Sequence, residues 1–80
     1  MTYIISTTDG SKAHPLVRIR ADGGAVLLAE IEVLYAQHSV GIACDLALLA
    51  RKRNPSARIM VDGQDADLLC QMPARARAHS

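Results

Sequence analysis

The chain has 80 residues, half of them apolar, and nine Lys/Arg against eight Asp/Glu give a net charge of +1. That length allows one domain with a modest core, and the near-neutral balance excludes both a strongly basic DNA-coating protein and a globally acidic nucleic-acid mimic. Phe and Trp are absent and Tyr3 and Tyr35 are the only aromatics, so the core is built of small branched side chains and lacks the stacking platforms used by single-stranded nucleic-acid binders.

Tyr3-Ile4-Ile5 predicts a strand over 2–7, ended by the turn-rich Asp9-Gly10-Ser11-Lys12. Leu16-Val17-Arg18-Ile19-Arg20 alternates apolar and basic residues. Val17 and Ile19 then face the core while Arg18 and Arg20 face water. The two runs form a predicted antiparallel hairpin, joined by a loop through His14 and Pro15.

Asp22-Gly23-Gly24 has two readings. A tight turn there makes Val26–Val33 a strand, which the alternation Glu30-Ile31-Glu32-Val33 supports. Against this, Ala25–His38 is rich in Ala, Leu and Glu, and Leu27, Ile31 and Leu34 fall at helical spacing with Asp22 as a cap. The balance favours helix.

A second helix is clearer. Ser39 caps it, Ala43, Ala47, Ala50, Cys44 and Leu48 form neighbouring apolar faces, and Arg51-Lys52-Arg53 suits the C-terminal end of the dipole before Asn54-Pro55 stops it. Arg58-Ile59-Met60-Val61 predicts a strand closed by Asp62-Gly63, and a short helix follows over 65–71, ending before Pro73. Residues 1–73 make one domain, and the Ala/Arg-rich 74–80 reads as a disordered tail. The expected order is β-β-α-α-β-α: an α+β fold in which two or three helices cover one face of a small antiparallel sheet of about three strands.

Met1–Thr8 lacks a charged lead and a long apolar run, and no stretch is long enough to cross a bilayer. The chain therefore reads as a complete, soluble, cytoplasmic protein. Cys44 and Cys70 stand 26 positions apart, without zinc or redox-motif spacing. They read as two reduced core thiols, with a disulfide as the alternative.

No constellation for chemistry is present: no nucleophile beside a base, no glycine-rich phosphate loop, no metal-ligand pattern. The expectation is a protein without enzymatic activity, cofactor or metal. The His14-Pro15 loop resembles the reactive-histidine loop of HPr-type phosphocarriers, but a strand follows where the phosphate-binding helix should start. His38 is expected to meet helix-terminal carbonyls, and His79 is remote from both. Leu49–Gly63 resembles a helix-to-strand segment of response-regulator receivers, without their phosphoacceptor aspartate.

The charged residues form local groups. Arg18 and Arg20 share one strand face, and Arg51, Lys52, Arg53 and Arg58 cluster in sequence. They underlie an alternative reading as a small nucleic-acid-binding regulator. Asp62, Asp65 and Asp67 crowd the start of the last helix, with Glu30 and Glu32 further back. The plain reading of Asp65 and Asp67 is capping; the sharper one, for the group, is a negative patch that competes for a positively charged groove.

In size, layout and the opening run Thr2-Tyr3-Ile4-Ile5-Ser6-Thr7-Thr8-Asp9-Gly10-Ser11, with an Ala/Arg bias suited to a GC-rich host, the chain resembles small phage anti-CRISPR proteins, in particular inhibitors of the type I-C system. The resemblance spans the whole chain as an overall likeness. It implies stoichiometric binding to a host effector, the Cascade surveillance complex, that blocks target-DNA binding by steric occlusion or local acidic mimicry. It implies no small-molecule substrate, no membrane and no direct nucleic-acid contact, acting as a monomer or small homo-oligomer. The partner-binding candidates are Asp62, Asp65, Asp67, Glu30 and Glu32, with Arg18 and Arg20 serving an occluding face.

Overall fold

A computed structural model describes residues 1–11 and 13–72. The expected 74–80 tail lies outside the described residues, as does His79. The elements are β1 (Thr2–Gly10), β2 (Pro15–Ala21), β3 (Val26–Glu32), α1 (Ser39–Arg53), β4 (Arg58–Val61), β5 (Gln64–Asp65) and α2 (Ala66–Leu69). The class is α+β, as the sequence implies, but the sheet has five strands, ordered β3-β2-β1-β4-β5. It is also mixed rather than antiparallel, because β4 runs parallel to β1, with Tyr3 opposite Ile59 and Ile5 opposite Val61.

The favoured helix over 25–38 is not formed; its first half is β3. Asp22, Gly23 and Gly24 all take positive φ, at 52°, 66° and 109°. A helix start has no use for such backbone, whereas a tight reversal needs it. The reversal lays the following residues along β2, with Val17 opposite Ile31 and Arg18 opposite Glu30. The ladder satisfies the main-chain groups of β2, and that outweighs the few tenths of a kilocalorie per residue by which Ala, Leu and Glu favour helix. A register shift between Ile19 and Arg20 places an extra residue, Leu28, in β3.

Helix α1 spans the predicted residues, but Ser39 is not its cap. The residue before it, His38, holds the cap position without a side-chain bond, and Ser39 is buried as the first helical residue. His38 itself ends a 3-10 turn, Ala36–His38, where its ring meets Tyr35 edge-on at 5.6 Å. Ala43, Ala47 and Ala50 form the buried stripe of α1. These small side chains let the helix lie close on β1, β2 and β4, over Ile5, Val17, Ile59 and Val61, all fully buried. The last helix is a single turn, Ala66–Leu69, shorter than the expected 65–71.

The cysteines are not free thiols. Cys44 of α1 and Cys70, just past α2, form a disulfide across Cα atoms 5.4 Å apart. Two helical segments remote in sequence meet on the same side of the sheet, a proximity that no spacing rule reveals.

Candidate partner-binding surface

With α1 and α2 on one side, no described element covers the other face of the sheet. Register places Arg18, Arg20, Ile4 and Met60 there, with Glu30 opposite Arg18 and Leu27 opposite Arg20. Arg18 Nε donates to Glu30 Oε2 at 2.6 Å. Behind this pair, Asp9 Oδ2 accepts from Ser6 Oγ at 2.7 Å and faces Arg18 and Arg20 at 3.4 and 3.9 Å. The Ser6 hydroxyl foremost, opposed by burial and joined by the two guanidinium groups, holds the Asp9 carboxyl below the usual carboxylate range. The Glu30 hydrogen bond raises the pKa of Arg18. Both arginines singled out from sequence are thus matched by carboxylates, and Asp9, which alternation does not mark, joins them.

Asp62, Asp65 and Asp67 each make an internal bond. Thr7 lies where β1 shifts register between Ser6 and Asp9, and β4 ends at Val61. Its main-chain N–H therefore turns to a side chain, donating to Asp62 Oδ1 at 2.9 Å, while its hydroxyl donates to Asp62 Oδ2. Asp65 caps α2, accepting from the Asp67 N–H at 2.9 Å. Asp67 Oδ1 accepts from Arg51 Nη2 at 2.6 Å, and the Arg51 side chain is only 6% exposed. Burial withdraws Arg51 from the basic cluster on which a nucleic-acid reading draws, leaving Lys52, Arg53 and Arg58 exposed. His14 lies in the β1–β2 loop, with its Nδ1 3.2 Å from Glu32 Oε1.

The surface that sequence reading missed is apolar. Val26, Leu27 and Leu28 of β3 are about half exposed, at 45, 51 and 53%, and Leu34 and Tyr35 just beyond are 83 and 61% exposed. Had 25–38 been a helix, Leu27, Leu34 and Tyr35 would have lain on its apolar stripe; as an edge strand and its exit they are exposed. Because α1 packs over β1, β2 and β4, an open groove of about 500 Å³ remains between it and β3. Leu28, Leu46, Leu49 and Met1 wall it, Tyr3 and Ile19 contribute to its floor, and Arg53 stands among its lining residues.

Among the described residues, no group of three or more His, Cys, Asp or Glu side chains could hold a metal ion. No described helix is long and apolar enough to cross a membrane. Comparison with known proteins finds no family model, no curated protein and no solved structure that matches this chain.

Proposed function

We propose that this protein works by occupying a surface of a larger assembly, with no bond made or broken, and that the assembly is a cytoplasmic type I-C Cascade complex whose binding to target DNA it blocks. The observation that carries the binding reading is the open apolar groove walled by Met1, Leu28, Leu46 and Leu49, with Val26 and Leu27 exposed next to it and Leu34 and Tyr35 exposed beyond the other end of β3. Completing the burial of such a side chain gains ~1–2 kcal/mol. Association itself costs ~4–15 kcal/mol, so a single exposed leucine is unremarkable while a cluster of this size is a credible interface core. Tyr35 supplies the amphipathic anchor type that dominates binding hot spots. Glu30, held by Arg18, and Glu32, beside His14, lie in the same strand and put carboxylates at the rim of the apolar surface, where they can meet the positively charged DNA channel of such a complex. The choice of Cascade as partner comes from the likeness to small anti-CRISPR proteins.

The test is co-elution of the purified protein with a type I-C Cascade, together with loss of target-DNA binding when it is added. Leu28→Asp with Tyr35→Ala should weaken both at least tenfold while leaving the circular dichroism spectrum unchanged. Target-DNA binding that persists at a saturating excess of the protein refutes the Cascade assignment.

A further inference from the structure

We infer that β3 is a docking edge for an extended strand of a protein partner, one carrying lysine or arginine at alternate positions and apolar side chains between them. The inference rests on the reading that this protein acts by binding another protein, and not on which one. No described strand lies beyond β3 in the sheet. The Val33 N–H bonds Pro15 O at 2.9 Å, and the alternation of an antiparallel ladder then turns the main-chain N–H and C=O groups of Glu30 and Glu32 outward, away from β2. An incoming strand meets those groups directly and extends the sheet, the β-augmentation mode of recognition.

Side chains select the strand. Glu30 and Glu32 share the uncovered face, since they lie opposite Arg18 and Leu16. On the other face, Leu28 and Ala29 line the groove with Leu46 and Leu49 of α1. A strand alternating cationic and apolar residues puts the first kind beside the two glutamates and the second into the groove. The same glutamates disfavour a second copy of this chain. Antiparallel self-pairing centred on Glu30–Glu32 sets carboxylate against carboxylate, a device by which edge strands resist self-association.

The experiment follows amide and methyl resonances of the full chain while either of two synthetic peptides is added, one alternating lysine and valine, the other alternating glutamate and valine. The lysine peptide should shift the amides of residues 26–32 and the methyls of Leu28 and Leu49, and slow hydrogen exchange at Glu30 and Glu32. It should bind about threefold more tightly than the glutamate peptide, because Arg18 at Glu30 and His14 at Glu32 temper both the favourable cross-strand pairs and the repulsive ones. Glu30→Gln with Glu32→Gln should erase most of that preference. Equal binding of both peptides, shifts confined to another surface, no binding at all, or concentration-dependent dimerisation through β3 overturns the inference. Cascade inhibition that persists under any of those outcomes leaves the proposed function standing and removes only this mode of contact.

Discussion

Removing the Cys44–Cys70 disulfide should lower stability by about 3.5 kcal/mol. The bond closes a loop across a sequence separation of 26, and constraining a loop of that length removes about 12 cal/mol/K of unfolded-chain entropy, or ~3.5 kcal/mol at 25 °C. For a domain of this size each kilocalorie moves the midpoint ~4–8 °C, so the reduced protein should melt ~14–28 °C lower. Both cysteines are only partly buried. The assay is thermal unfolding followed by circular dichroism, with and without a phosphine reductant, alongside Cys44→Ala with Cys70→Ala and intact mass to confirm the redox state. Small domains have only ~5–15 kcal/mol in total, so the result also measures how much fold survives in the reducing compartment where the proposed partner resides. A midpoint unchanged within ~2 °C after complete reduction would refute the loop-entropy argument for this bond.

Asp67→Ala should cost ~1.5–3 kcal/mol by urea denaturation, because it removes a charge-assisted hydrogen bond to the buried Arg51 guanidinium. Adding Arg51→Met should recover part of that loss, and a single-mutant loss below ~1 kcal/mol would mean the pair is not structural. Gly10 has φ +86°, and a Cβ there would sit 2.6 Å from the His14 carbonyl oxygen. Gly10→Ala should therefore destabilise by ~1–3 kcal/mol, and a wild-type melting curve would contradict the strained hairpin turn. For Asp9 the folded pKa is depressed below 3.8. Its stabilisation is then present above that value and lost as pH falls through the lower folded pKa. The stability gap between wild type and Asp9→Asn should accordingly shrink on acidification from pH ~5 toward ~2, and a gap that grows would reverse the assignment.

Local information carried most of the fold. Residues 2–7 hold the run Tyr3-Ile4-Ile5, 16–20 alternate at the strand period, 39–53 repeat Ala at helical spacing before Asn54-Pro55, and Ile59-Met60-Val61 is an apolar run closed by turn residues; β1, β2, α1 and β4 follow those signals. In each case the favoured backbone and the face to be buried agree within one segment, so no distant partner is needed to decide between alternatives. Capping was equally legible at Asp65, whose carboxylate meets an N–H only two residues on.

Tertiary structure decided the rest, wherever an outcome depended on what lay across a gap in sequence. Residues 25–33 satisfied both a helical and a strand pattern, and the free edge of β2 chose between them. That choice turned Leu27, Leu34 and Tyr35 from an expected apolar stripe into exposed surface. The Cys44–Cys70 bond, the parallel β1–β4 pairing and the burial of Arg51 against Asp67 likewise arise from chain segments brought together only on folding. Sequence alone determined which segments could be strand or helix, because backbone preference and side-chain period are local; the folded chain determined which faces remained uncovered, because exposure depends on every element at once.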